Sequence, residues 1–289
     1  MTARAVSDPV LSPEFLERVL EKLGLTERPS LDLAGLNTLY AAYCGSVPAQ
    51  DNIQKRIWFA GERRTPLPGG DPREYFENWL AHGTGGTCWP TNGAVYALVH
   101  SLGFDARRIA ASVIIEKYSQ GANHGTVLVT LEGVEYLIDG NLGAFKVLPL
   151  VPGRTTSTGD GFHAISAVPI EAGYDVIWYQ GHSRQEPLTI RTEPEHDPVD
   201  HAFFLEAYDR TKSKGRDLFN YALFICRRFP DSIVTIGRKN KITVTADNTV
   251  TKTEINDVER RRVLVEELGI SEEIAEALPP DVPGGVALL

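Results

Sequence analysis

The sequence predicts an α+β fold: an N-terminal helical bundle, a central antiparallel β-barrel or sandwich, and a small C-terminal α/β lid. Apolar residues recur at helical spacing through the first third of the chain. Short β-branched segments punctuated by Gly and Pro fill the middle, and strand and helix patterns mix towards the C terminus. The 289 residues suffice for two or three subdomains, and we expect domains at residues 1–105, 106–196 and 197–289.

Four helices are predicted in the first domain, beginning at Ser12, Ser30, Asp71 and Cys88. Ser12 and Asp71 are each followed by proline, which combines an N-cap residue with the preferred residue of the first helical position. The first, second and fourth helices carry apolar residues on one face, and the third carries a run of aromatic residues that is typical of a core. Residues 53–62 show no decisive pattern.

The second domain is predicted to consist of short strands. The first three span residues 107–117, 124–131 and 134–139, with a hairpin turn at Glu132-Gly133 between the last two. Further strands are expected at residues 145–150, 175–179 and 188–192. Regular spacing of Gly and Pro between such segments is typical of a barrel or sandwich.

The third domain mixes both kinds of element. A helix is predicted over residues 197–212, followed by strands at 233–237, 241–245 and 250–255. Helices at residues 256–268 and 271–278 close the domain. Residues 1–11 and the Pro- and Gly-rich segment from residue 279 onwards are expected to be loose.

Cys88 is the first candidate for chemistry, because it follows a Gly-Gly turn and begins an apolar helix. Free N–H groups and the positive end of the dipole at a helix N terminus favour a thiolate, which is the nucleophilic form of cysteine. Considered alone, Cys88 fits equally well as a small buried apolar residue.

Two residues of the predicted hairpin complete a possible catalytic group. His124 begins one strand and Asp139 ends the next, so antiparallel pairing places them side by side. A carboxylate beside a histidine orients the imidazole as a base, and the base activates a cysteine nucleophile. Each residue alone has an ordinary structural explanation, but the three together predict a Cys88–His124–Asp139 triad.

These residues resemble the motifs of the arylamine N-acetyltransferase family. The matching segments are Gly85-Gly86-Thr87-Cys88 with Asn92, Asn123-His124, and Leu137-Ile138-Asp139-Gly140-Asn141-Leu142-Gly143. The resemblance implies a cysteine-proteinase-like core and a ping-pong reaction that moves an acetyl group from acetyl-CoA to a small-molecule amine through a thioester on Cys88. It also implies CoA contacts near the acid, which we assign to Gly140, Leu142, Gly143 and Phe145.

The sequence departs from the family pattern at several positions. Thr84 stands where an arginine commonly precedes the Gly-Gly pair, and Gln50-Asp51-Asn52 replaces Phe-Glu-Asn. Two alternatives therefore stay open. One is an amide synthase or transglutaminase-like hydrolase that uses the same triad on another acyl donor. The other is a non-catalytic binding protein on the same fold.

Composition excludes several classes of partner and site. A formal charge of −9 argues against a nucleic-acid partner, and neither a membrane span nor a signal-peptide core is apparent, so we expect a cytoplasmic protein. Three widely spaced cysteines fit free thiols, and we expect Cys44 and Cys226 in the core. We predict no metal, because the segment from His196 to His201 lacks a recognised ligand spacing. The oligomeric state is left open.

Overall fold

The computed structural model describes residues 8–63, 65–114, 121–179, 187–213 and 218–282. The end of the strand predicted at 107–117, most of the predicted N-terminal arm and the last part of the C-terminal segment lie outside these residues.

All the predicted helices form, although some bounds differ. The helices are α1 Pro13–Lys22, α2 Leu33–Ser46, α3 Ile53–Ala60, α4 Pro72–His82, α5 Cys88–Leu102, α6 His201–Arg210, α7 Asp257–Arg262 and α8 Glu272–Ala277. Ser12 and Asp71 cap their helices through side-chain oxygens, as predicted. A π-helical turn, Val263–Glu267, follows α7 where the sequence predicted one continuous helix. Within the described ranges, no helix has the length and apolar character needed to cross a bilayer.

The central domain is an antiparallel sheet of eight strands in the order β5-β4-β3-β2-β9-β8-β7-β6. The strands are β2 Asp105–Ile114, β3 His124–Leu131, β4 Val134–Ile138, β5 Leu148–Leu150, β6 Thr156–Ser157, β7 Ser166–Pro169, β8 Tyr174–Trp178 and β9 Leu188–Thr192. A bridge between Val151 and Arg154 brings the edge strands β5 and β6 together, so the sheet nearly closes. The predicted α+β fold with a central antiparallel barrel is confirmed.

The C-terminal sheet has five strands, in the order β1-β10-β11-β12-β13. They are β1 Gln50–Asp51, β10 Phe224–Phe229, β11 Ser232–Gly237, β12 Asn240–Thr245 and β13 Val250–Glu254. The sequence predicted three of these and missed two. β1 has only two residues, and adjacent arginines in β10 hide its apolar pattern. Because β1 pairs with β10, the N-terminal segment is part of this sheet, and the proposed domain boundaries stay a prediction.

Three other assignments differ from the structure. The ambiguous residues 53–62 contain helix α3, which buries Lys55 and Arg56 and therefore lacks a simple apolar stripe. The strand predicted at 145–150 begins only at Leu148, and the short strands β6 and β7 were not predicted.

Cys44 and Cys226 are buried free thiols, as expected for core residues.

Helix α5 holds the first candidate residue against the barrel. It packs on β2 and β3, and most of its residues are buried. At Gly125 on β3, an added Cβ would lie 2.6 Å from Trp89 and 2.7 Å from Phe204. The absence of a side chain at Gly125 therefore allows the N-terminal end of α5 to approach the strand that carries His124.

We expect Gly125→Ala to destabilise the protein by about 1–3 kcal/mol, because the methyl group must displace two packed aromatic rings. Gly161→Ala is the matched control, since its Cβ would meet nothing within 4 Å. Urea unfolding of both variants measures the effect. An unchanged free energy of unfolding in Gly125→Ala would show that α5 does not need this close approach.

Candidate active site

Cys88 is the first residue of α5 and is partly exposed. Its sulfur lies 3.7 Å from the backbone oxygen of Asn123, the residue that precedes β3. The thiol also packs against an apolar cluster that includes Trp89 and Tyr208. The structure thus places Cys88 at a helix N terminus, as predicted, between that cluster and the start of β3.

The Gly-Gly turn before Cys88 is held by a buried carboxylate. Asp51 accepts the N–H of Gly85 through one oxygen at 2.8 Å and the N–H of Ile53 through the other at 2.7 Å. Burial raises the pKa of Asp51 to about 6, although these two hydrogen bonds oppose the shift. A Cβ on Gly85 would lie 2.8 Å from the backbone oxygen of Pro48, so the turn requires glycine there.

Thr84 stands where the family commonly has arginine, and its side chain is buried beside that of Gln54, which donates a hydrogen bond at 3.4 Å. Thr84 has no charge to offer Asp51, whose carboxylate accepts the backbone N–H groups of Gly85 and Ile53 instead.

His124, the first residue of β3, and Asp139, which directly follows β4, form a buried pair. The Nε2–H of His124 donates to Asp139 Oδ2 at 2.7 Å, and the two residues are 4% and 0% exposed. Burial alone would lower the pKa of His124, but the Asp139 carboxylate and the Cys88 side chain raise it to about 10. Burial favours the neutral form of Asp139, yet His124 and Asn92 hold its pKa below the usual value.

The ring orientation connects this pair to the cysteine. Because Nε2 faces Asp139, Nδ1 is the nitrogen left to face Cys88, whose side chain contributes to the raised pKa of His124. The three predicted triad residues are therefore brought together. Their geometry can support a thiolate–imidazolium pair oriented by a carboxylate.

The Asp139 carboxylate is enclosed by hydrogen-bond donors. Its Oδ1 accepts from Asn92 Nδ2 at 3.1 Å and from the backbone N–H groups of Asn141 at 2.9 Å and Leu142 at 3.2 Å. Asn92 also donates to the Gly125 oxygen at 2.5 Å, so one amide ties α5 to both strands of the hairpin.

The backbone of Asp139 is held from a third side. The hydroxyl of Tyr40, on α2, donates to the Asp139 carbonyl at 2.7 Å. The sequence motif includes Asn92 but gives it no role, and nothing in the sequence singles out Tyr40. No local signal distinguishes a core tyrosine from one that holds an active-site backbone.

The four predicted CoA contacts have different environments. Gly140, Leu142 and Gly143 are buried, and Leu142 belongs to the main hydrophobic core. Phe145 is partly exposed, and its ring contacts that of His163 in a tilted arrangement at a centroid distance of 4.8 Å. The assignment of these residues to CoA stays a prediction.

His82 and His196 lie outside the triad. His82 lies at the end of α4, where its Nδ1 is 3.0 Å from Ser271 Oγ, so it is engaged away from the triad. The ligand atoms of Glu193, Glu195 and His196 lie within 4.8 Å of one another. Acidic clusters of this kind are common without a bound ion, and we assign no metal to it.

Comparisons with known proteins decide the family. The N-acetyltransferase family model matches residues 70–277, which is more than two thirds of the chain and includes the whole triad. The chain belongs to the arylamine N-acetyltransferase family. It is therefore an acyltransferase.

Solved structures of the family share the fold. The arylamine N-acetyltransferase of Mycobacterium abscessus superposes with a TM-score of 0.76 at 18% identity, covering 91% of this chain and 93% of its own. The Salmonella typhimurium enzyme gives 0.74 at 16% identity and 96% coverage of both chains. A Bacillus cereus relative described as having a Cys-His-Glu triad gives 0.72 at 18% identity, with 89% and 99% covered. In this chain the corresponding candidate acid is Asp139.

One relative with a different name matches at the sequence level. It is proansamycin X synthase of Amycolatopsis mediterranei, 28% identical over 164 residues. The match spans 55% of this chain and 60% of the relative.

The His124–Asp139 pair predicts a pH-dependent stability. A folded-state pKa of about 10 for His124, against 6.5 unperturbed, means that its contribution is fully present below pH 6.5 and is lost as the pH rises through 10. We expect the stability advantage of the wild type over Asp139→Asn to shrink across this window, by at most about 1.4 kcal/mol per pH unit.

Urea unfolding of both proteins at pH 6.5, 8 and 10 measures this difference, since shifts of other groups cancel in the comparison. A constant difference across these pH values would mean that the pair does not raise the pKa of His124.

Proposed function

We propose that the chain transfers an acetyl group from acetyl-CoA to an amine through a thioester on Cys88. The observation that supports this most directly is the buried His124–Asp139 pair beside a cysteine at a helix N terminus. Membership of the N-acetyltransferase family supports the same reaction class. The substrates would be small molecules, an acyl-CoA and an amine.

The first half-reaction loads the enzyme. The Cys88 thiolate attacks the carbonyl carbon of acetyl-CoA, and the bond from that carbon to the CoA sulfur breaks. The His124 imidazolium gives its proton to the departing CoA sulfur, so free CoA leaves and His124 becomes neutral. The acetyl group then remains as a thioester on Cys88.

The second half-reaction releases the product. The amine attacks the thioester carbon while neutral His124 takes a proton from the nitrogen. The bond to Cys88 breaks, an amide leaves, and the thiolate and imidazolium are restored. Asp139 orients the imidazole through Nε2 and stabilises its positive charge in both steps.

Two further groups belong to this proposal. The backbone N–H of Cys88, at the start of α5, is a candidate donor to the oxyanion that forms on the attacked carbonyl. Gly140, Leu142, Gly143 and Phe145 are the proposed CoA contacts. Phe145 is the partly exposed member of this set, so we expect any direct side-chain contact to CoA to come first from Phe145.

A second candidate function is an amide synthase that uses the same triad on a different acyl donor. It is favoured by one observation, the sequence match to proansamycin X synthase, a relative that is named as a synthase. Under this alternative, Cys88 accepts an acyl chain from a carrier-bound thioester, and an amine again releases it as an amide.

Incubation with acetyl-CoA and no amine should load Cys88 with one acetyl group. Intact-mass spectrometry with peptide mapping detects the adduct, and addition of an arylamine should remove it. Cys88→Ala should form no adduct and lose acetyl transfer, whereas Cys44→Ala, which alters a buried free thiol, should still load. Full acetyl transfer by Cys88→Ala would disprove the mechanism.

The alternative function predicts a different donor preference. If the chain is an amide synthase, a carrier-protein thioester should load Cys88 faster than acetyl-CoA does at equal concentration. Parallel loading with both donors, followed by mass spectrometry, compares them directly. Exclusive use of acetyl-CoA would eliminate the synthase, and exclusive use of the carrier thioester would eliminate the acetyl-CoA reaction.

A further inference from the structure

Lys55 is a buried lysine close to the proposed nucleophile. It lies in the first turn of α3 and is 2% exposed. Asp51 binds both the N–H of Ile53, at the start of this helix, and the N–H of Gly85, in the turn before Cys88. One carboxylate therefore positions the helix of Lys55 and the turn that leads to Cys88 relative to each other.

The contacts of Lys55 place its ammonium next to the apolar cluster around Cys88. Lys55 Nζ donates to Thr211 Oγ1 at 2.8 Å and lies 5.6 Å from the centroid of the Tyr208 ring. Tyr208 is 4% exposed and belongs to the cluster against which Cys88 packs. Thr211 and Tyr208 thus hold the head group on the α6 side of the site.

Lys55 and Cys88 also interact electrostatically. Burial lowers the pKa of Lys55 to about 7, and the charge of Cys88 opposes this shift. Coulombic interaction is reciprocal, so a thiolate that favours the ammonium is itself favoured by that ammonium. Among the described residues, the titratable groups that face Lys55 include Cys88 from α5 and Tyr208 from α6.

A lysine in this environment is costly for folding. Removing an ammonium from water is unfavourable even when polar groups receive it, and an apolar side chain on α3 would avoid that cost. Charged groups retained in such places are concentrated at functional sites. Residue 55 is therefore a candidate for a role in the chemistry.

We propose that Lys55 is a positioning residue that acts through Cys88: its ammonium stabilises negative charge on the Cys88 sulfur. The benefit to acyl transfer rests on the proposed function, since a larger thiolate fraction speeds the loading step. Its effect on the sulfur itself is present without any substrate. Arginine at this position would preserve the charge, and methionine would remove it at similar length.

The test uses two alkylating reagents of different charge on the full chain without substrate. Iodoacetate is anionic and iodoacetamide is neutral, and both react with the thiolate, so the ratio of their rates at Cys88 reports the local charge rather than the thiolate fraction. Cys44 and Cys226 are buried, and peptide mapping assigns the label.

At pH 6, where Lys55 is mostly protonated, we expect Lys55→Met to lower the iodoacetate-to-iodoacetamide ratio at least about threefold. Lys55→Arg should restore the ratio. Lys252→Met, on the exposed strand β13, is the matched control and should leave it unchanged. An unchanged ratio in a folded Lys55→Met protein would overturn the proposal.

A measurement on the wild type covers the case in which Lys55→Met does not fold. Asp51, Lys55 and His124 lie around Cys88 and have pKa values of about 6, 7 and 10, so the ratio should fall in a step near each of these values as the pH rises. The absence of the step near pH 7 would also overturn the proposal.

The outcomes separate this proposal from the proposed function. A ratio that depends on Lys55, without an acetyl adduct from acetyl-CoA, supports the role of Lys55 and rejects the acetyl donor. A normal acetyl adduct, together with a ratio that does not change in Lys55→Met, supports the acetyl donor and rejects the role of Lys55.

Discussion

The buried ion pair between His124 and Asp139 is the interaction on which the rest of the site depends. A carboxylate that is 0% exposed is unstable unless its oxygens are hydrogen-bonded, and the positive charge on His124 meets only part of that need. Asn92 and the backbone of Asn141 and Leu142 supply the other donors. Satisfying one acid thus fixes the position of α5 on the hairpin, and with it the position of Cys88.

Close approach of backbone segments provides the second constraint. Gly85 allows the turn to lie against Pro48, and Gly125 allows Trp89 on α5 to pack on β3. Asp51 receives N–H groups from both the turn and the start of α3, and these hydrogen bonds offset part of the cost of its burial. Thr84 stands where the family commonly has arginine, and here backbone N–H groups position Asp51.

Stability and chemistry oppose each other in the same few residues. The environment of His124 favours the imidazolium, whereas the environment of Lys55 disfavours the ammonium. At neutral pH, the raised pKa of His124 therefore stabilises the folded protein and the lowered pKa of Lys55 destabilises it. Lys55 is buried between α3 and α6 with a lowered pKa, and strongly shifted groups of this kind are concentrated at functional sites.

The sequence by itself determined the fold class and predicted the triad, because a helix N terminus and a two-stranded hairpin are local structures. Cys88, His124 and Asp139 each lie at the end of one such element. Only the tertiary structure decided which groups surround them: Tyr40 reaches Asp139 across 99 positions, and Lys55 reaches Thr211 across 156. Burial and hydrogen bonding between distant segments leave no periodic pattern, so strand β10 and the environment of Lys55 became evident only in the folded chain.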